Sequence, residues 1–405
     1  MKRRIANLPT PAFVINRFAF ERNCKTMLEM VRGKGLLLRP HVKTHKTAEG
    51  ARIQANAERE TDVLVTGFVA STLPEVKMLV ESKYDVPRDV LYGVPISQAK
   101  LEPLDAMRQE FSSNEGQIHV VIDHPTQVTF VEDYVKSQEK SPFSAFIKLD
   151  TGYHRAGITC DERGVDLALQ IIRSPFLSLQ GVYSHCGHAY DESSDKHQQD
   201  IAKVDIEQIA SFLDLLKQQL ESLGENTSAV NDLIVSVGST PSARHHESLK
   251  GLANPIEIHP GNYTLFDRQQ LWTGACTEVD VAARVMSRVV GHYGDRNTIL
   301  LDAGATALTK DDSPQGSVCE IGGHPELDCY KMSQEVTLVR PKDRHTMFPY
   351  AKFPLGSVVD LLPNHSCLSA ACFEKYYVID DPSCSFSPNQ EIVDEWIPAK
   401  YFDIK

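Results

Sequence analysis

The sequence predicts an α/β chain: a (β/α)8 barrel of the TIM type followed by a second, mainly β C-terminal domain. Three observations predict it. Short apolar, β-branched runs alternate with helical stretches over the first two thirds of the 405 residues. Near residue 270 the texture changes, and strand candidates follow one another without helices between them. Clusters of glycine, histidine, lysine and hydroxyl residues fall just after the strand candidates, where barrels of this kind carry their sites.

The strand candidates are Leu36–Val42, Asp62–Thr66, Val90–Gly93, His119–Ile122, Ala145–Leu149, Leu179–Ser184, Leu233–Val237 and Ile256–Ile258. Stretches of helical period such as Ser71–Glu81, Gln98–Glu110 and Asp195–Leu223 lie between them. Alternation alone suits an open doubly wound sheet equally well. The polar clusters at strand ends decide for the barrel. Beyond it, Val279–Tyr293, Asn297–Leu301, Gln334–Val339 and Gly356–Leu362 read as strands, and the early strand Thr10–Ile15 is expected to join them. The expected barrel covers 16–268, and the β domain covers 269–405 together with 1–15.

Composition narrows the function. Apolar residues make up 41% and charged residues 24%, as in ordinary globular chains. A net charge of -12 argues against nucleic-acid or anionic-membrane partners. No window has the apolar length of a membrane span, and the basic start at Met1–Ile5 leads into no apolar run of a secretory signal. Nine cysteines, an odd number with no C-x-x-C pair, point to a reducing cytoplasm.

The first strand candidate runs into Arg39-Pro40-His41-Val42-Lys43-Thr44-His45-Lys46. Other cations crowding a lysine at a strand end lower its pKa, and a neutral amine is what attacks an aldehyde. A solvated basic loop is the plain alternative. Asp150–Gly157 places Arg155 between two glycines, which suits close approach of backbone to a ligand. Tyr183-Ser184-His185 and Tyr190 follow strand six, where a lone histidine is commonly a satisfied core residue. Gly238-Ser239-Thr240 and Gly261-Asn262 follow strands seven and eight, the usual phosphate position of these barrels, although such runs also make plain turns. A phosphorylated ligand beside a lysine suggests pyridoxal phosphate, with a sugar phosphate as rival. In the β domain, His365 and Cys367 stand two apart at the end of a strand, so both reach one face and one Zn²⁺.

These segments, in this order and across nearly the whole chain, resemble the D-serine dehydratase and D-threonine aldolase family of alanine-racemase-type pyridoxal enzymes. Thr10-Pro11, Arg39–Thr47, Asp150–Gly157, Val237–Pro241, His259–Tyr263, Leu301–Gly304 and Pro363–Cys367 carry the likeness. The resemblance implies a homodimer acting on a small D-amino acid, with Lys43 rather than Lys46 as the cofactor lysine. It implies Gly238, Ser239, Thr240, Gly261 and Asn262 around the phosphate, Arg155 facing the pyridine ring, and Tyr183, His185 and Tyr190 close by. His365 and Cys367 would bind zinc. The aldolase branch has Asp at the second of these positions, so Cys367 favours dehydration of D-serine over a D-threonine-type aldol cleavage. Dehydration of D-threo-3-hydroxyaspartate is the neighbouring alternative. A pyridoxal phosphate carrier without catalysis fits less well, because a single barrel without a metal pair is expected of it. The chain departs from the family pattern at Gln334-Glu335-Val336, Leu368-Ser369-Ala370 and Trp396–Lys400.

Overall fold

Runs of Val, Ile, Leu and Phe bounded by polar turns form eight parallel strands: Leu37–Leu38, Phe68–Ala70, Asp89–Pro95, Gln117–Ile122, Phe143–Asp150, Leu177–Tyr183, Ile234–Val237 and Ile256–Ile258. Most of their residues are buried, as expected of a parallel sheet covered on both faces. The structure is a computed structural model that describes residues 3–55, 64–113, 115–247, 252–314 and 316–400. Neighbouring strands pair in parallel register round the sheet, and the first strand pairs with the eighth. The ring closes on the other side: Thr66 N–H donates to Leu38 O at 2.9 Å and Val69 N–H to Pro40 O at 3.0 Å. The sheet is therefore the closed barrel that the sequence predicts. No helix among the described residues is long and apolar enough to cross a membrane.

Two strands differ from expectation. The first ends at Leu38 rather than Val42, because Pro40 has no N–H to donate and Val42–Thr44 turns into a 3₁₀ helix. The second lies at Phe68–Ala70, with Val65 making only an isolated bridge to Leu38; Asp62 and Val63 of the expected Asp62–Thr66 lie outside the described residues. Gly67 precedes that strand because the chain runs against Arg39 there. A Cβ at Gly67 would sit 2.5 Å from both Arg39 Nη1 and Asp89 O.

Arg39 is fully buried inside the barrel. Its Nε donates to Glu257 Oε1 at 2.6 Å, and its Nη1 pairs with Asp89. Thr66 Oγ1 donates to Glu257 Oε2, and His119 Nε2 meets Asp89 Oδ2 at 3.1 Å. Removing one partner of such a buried network leaves the other charge unpaired, at a cost of about 3–5 kcal/mol. Arg39→Met is expected to lower unfolding stability by about that amount, read from the denaturant midpoint.

The described residues divide into two units: Thr26–Lys43 with Ala48–Gly261, and 3–25 with Thr44–Thr47 and Asn262–Lys400. The sequence places the boundary at 268/269; the units part at Gly261/Asn262. The second unit is built on Ala283–Tyr293, which pairs antiparallel with Ala12–Asn16, Thr298–Leu301 and Val358–Pro363. Ala12–Asn16 also pairs in parallel with Tyr376–Ile379. Ile5, Leu8, Val14, Met286 and Ile379 pack together beneath it. The short strands Cys319–Ile321, Leu327–Met332, Tyr376–Ile379 and Asp394–Trp396 are additions to the sequence expectation.

Candidate active site

The C-terminal ends of the barrel strands enclose a cavity of about 310 Å³, within the range of small-ligand pockets. Lys43, Arg155, Tyr183, His185, Tyr190, Ser239, Thr240 and Gly261, all nominated from sequence, line it together. Gly238 stands behind the lining, with φ +97°, and a Cβ there would lie 3.1 Å from the His246 ring. Asn262 is not among the lining residues. It belongs to the second unit, where its amide nitrogen donates to Asp267 Oδ2 at 2.7 Å and lies 3.3 Å from Cys367 Sγ.

Lys43 sits on the 3₁₀ turn that follows the first strand. Its backbone N–H donates to His41 Nδ1 at 3.1 Å, so a neutral His41 carries its proton on Nε2 and donates to Ser71 Oγ at 2.9 Å. The cations around Lys43 are not those adjacent in sequence. Arg39 points into the barrel, and His45 packs edge-on against Phe20 in the second unit. The other cations lining the cavity are Lys148 and Arg155, from the fifth strand and its loop.

Sequence reasoning gave no role to Lys148 or His259. Lys148 is buried, with Nζ 4.7 Å from the Tyr183 ring centroid. Burial first, then Arg155, brings its pKa down to about 8. Tyr183 stacks on His259 at 4.3 Å. Burial and the nearby lysines hold His185 and His259 well below the ordinary histidine value, so both are neutral. His185 Nδ1 lies 3.2 Å from Gly238 O; a carbonyl only accepts, so the proton is on Nδ1. His259 Nδ1 bonds Ser236 Oγ at 3.0 Å, and its Nε2 is buried at the cavity without a partner. Their signal in the sequence was position alone, at the carboxyl ends of strands five and eight.

The turn after strand seven divides its work. Ser239 Oγ donates to Cys186 O and Ser239 N–H to Ser242 Oγ, both at 3.0 Å, so Ser239 shapes the turn. Thr240 Oγ1 is buried at the cavity with no partner. Unpartnered polar atoms at Thr240 and His259, two flanking cations and the Lys43 amine fit a group with an aldehyde, an anionic tail and a ring heteroatom. Pyridoxal phosphate has all three.

His365 and Cys367 come together, but not on a strand as expected. The strand ends at Pro363, His365 caps the helix Ser366–Ala371, and Cys367 lies in its first turn. The chain turns there because Ser366 N–H donates to Asp267 Oδ2 at 2.8 Å. Burial opposes protonation of His365, but Cys367, Asp267 and Asp311 outweigh it and raise its pKa to about 9. Asp311 Oδ2 lies 3.6 Å from His365 Nδ1 and has no hydrogen-bond partner. Thr44 Oγ1 is 3.1 Å from Cys367 Sγ. An imidazole, a thiol and a spare carboxylate oxygen are the donor types that zinc takes. A second group of such donors, Cys186, Asp205 and His246, is wholly buried in the barrel unit.

Residues 15–246 match the alanine racemase N-terminal domain, and 282–379 match a putative serine dehydratase domain. The chain is 32% identical over 418 residues to a D-serine dehydratase of Schizosaccharomyces pombe, covering 98% of this chain and 92% of that protein. It superposes on D-threo-3-hydroxyaspartate dehydratase from Delftia sp. HT23 with a TM-score of 0.82 and 25% identity, over 98% of this chain and 99% of that one. A cysteine-to-alanine variant of the same enzyme, in a metal-free form, matches with a TM-score of 0.81 at 25% identity, again over 98% and 99%.

Proposed function

The chain belongs to the alanine-racemase-like family that contains the D-serine dehydratases, and on that footing we propose that it is a pyridoxal phosphate and zinc-dependent lyase converting D-serine to pyruvate and ammonia. The observation that carries the reading is the cavity itself. One lysine amine, a buried unpartnered hydroxyl and two further cations face the same space, in a chain similar over its whole length to D-serine dehydratases.

Lys43 attaches the cofactor. Thr240 and the turn from Gly238 hold its phosphate with Gly261, and Arg155 orients the ring. When bound, pyridoxal phosphate supplies the electron sink for charge left at the substrate's α-carbon. Lys43 Nζ accepts the α-proton, from the face that a D-amino acid presents. His185, neutral with its proton on Nδ1, offers a lone pair on Nε2 to the cavity. Arg155 is always charged and cannot take a proton from the ring nitrogen, so it acts by position. His365 and Cys367 hold the zinc, with Asp311 as the carboxylate beside a ligating imidazole. Zinc held there would supply Lewis-acid chemistry. The family resemblance supports a homodimer. The odd count of nine cysteines with no C-x-x-C pair supports a reducing, cytoplasmic setting.

A second reading has its own support. Lys148 is a buried cation lining the cavity to which the D-serine reading gives no task, and it suits D-threo-3-hydroxyaspartate with its extra carboxylate. Purified protein incubated with D-serine, D-threonine and D-threo-3-hydroxyaspartate decides among them. Pyruvate and ammonia from D-serine as the fastest reaction are expected. Faster oxaloacetate formation would establish the second reading, and glycine from D-threonine would establish an aldolase.

A further inference from the structure

Asp205 lies in the middle of the helix Asp195–Ser222 and is fully buried. Its carboxylate receives donors from three site-bearing loops. Thr151 Oγ1, at the end of strand five, donates to Oδ1 at 2.6 Å. Ser184 Oγ, after strand six, donates to the same oxygen at 2.6 Å. Cys186 Sγ meets Oδ2 at 3.0 Å, and His246 Nε2, beyond the turn after strand seven, meets it at 3.1 Å.

Each donor is tied to a residue of the cavity. Thr151 begins the loop that carries Arg155. Ser184 and Cys186 flank His185. His246 Nδ1 bonds Ser242 O at 3.0 Å, and Ser242 Oγ receives the N–H of Ser239, next to Thr240. Neither Asp205 nor any of its four partners lines the cavity.

We propose that Asp205 is a positioning residue. One buried carboxylate, by gathering donors from the loops after strands five, six and seven, sets the spacing of Arg155, His185 and Thr240 around the cavity. The cofactor consequence rests on the reading of that cavity as a pyridoxal phosphate pocket; the loop consequence does not.

Cys186, Asp205 and His246 have donor types that also suit a metal ion. The hydrogen bonds speak for the hub. A carboxylate offers about four acceptor positions, and Thr151, Ser184, Cys186 and a His246 ring whose two nitrogens both face acceptors already surround them. A ligating cysteine must be a thiolate, whereas Cys186 Sγ donates to Asp205 Oδ2 at 3.0 Å.

Asp205→Asn preserves shape but turns an acceptor into an N–H donor. In full-length protein without added cofactor, amide hydrogen exchange is expected to accelerate together in 151–157, 184–190 and 238–246. Acceleration confined to the helix that carries residue 205 would overturn the proposal. With pyridoxal phosphate added, the variant's Kd is expected to rise ~10–100-fold, the scale of losing an outer-shell partner. An unchanged Kd in folded variant would also overturn it. If wild type takes up no pyridoxal phosphate while the exchange pattern holds, the functional reading fails and the hub stands.

Cys186 supplies a milder test should Asp205→Asn not fold. Cys186→Ser keeps a donor and is expected to bind pyridoxal phosphate as wild type does, whereas Cys186→Ala should bind it several-fold more weakly. Equal affinities would overturn the proposal. So would loss of bound zinc from Cys186→Ala with His365 and Cys367 intact.

Discussion

Alanine in place of Lys43 is expected to abolish the near-visible absorbance of bound pyridoxal phosphate and to lower D-serine turnover by ~10³-fold or more. The effect is large because one nitrogen has two tasks, covalent attachment of the cofactor and transfer of the α-proton. The backbone prepares it for both. Pro40 ends the first strand, and the His41 ring, held by Ser71, fixes the turn on which Lys43 stands. Lys148 is the other lysine lining the cavity, and with its pKa brought down to about 8 it is the amine able to substitute. The spectrum tests this directly. A band that survives in Lys43→Ala and disappears in Lys148→Met would move the attachment to strand five.

Metal removal is expected to have the next largest effect. A Lewis acid contributes several kcal/mol to a charge-separating step, and about 1.4 kcal/mol corresponds to tenfold in rate. Chelation, His365→Ala or Cys367→Ala should therefore each reduce D-serine turnover by ~10²–10³-fold or more. The cofactor's absorbance should stay unchanged, because none of the cavity-lining residues is lost. Full turnover by zinc-free protein, verified by elemental analysis, would remove the metal from the reaction. Within the same series, Cys367→Asp is expected to weaken dehydration, and release of glycine from D-threonine by that variant would tie the residue to reaction choice.

Much of the barrel was legible because its strands are bounded apolar runs. From Asp89–Pro95 onward the expected and observed strands overlap closely. The first two were misplaced because Pro40 ends the first strand early and the second begins only past Gly67, where the chain runs against Arg39. Nothing near Arg39 announces Glu257 or Asp89, so a buried ion-paired guanidinium reads as part of a basic loop. The crowd of cations in 39–46 was inferred from neighbours in sequence, whereas folding sends Arg39 and His45 elsewhere and brings Lys148 and Arg155 from another strand. His365 and Cys367 were found as a pair, but through strand periodicity; the helix that presents them depends on Asp267, almost a hundred residues earlier. Asp205 left a signal that helical period alone could have shown. It shares its face with Ala202, Ile206, Ile209, Phe212 and Leu213, a lone acid in an apolar stripe.

The Arg39 network also bears on how the chain matures during synthesis. Asp89 follows Arg39 by 50 positions and Glu257 by 218, so a nascent chain carries the guanidinium and its first carboxylate partner long before the second leaves the ribosome. Contacts that distant form late and slowly. Until they form, the N-terminal strand has no neighbour on its strand-eight edge, and Asp89 alone faces the guanidinium beside it. Completing the pairs of that guanidinium and joining the last strand to the first therefore depend on the same segment, Ile256–Ile258, which makes premature closure of a shortened ring unfavourable.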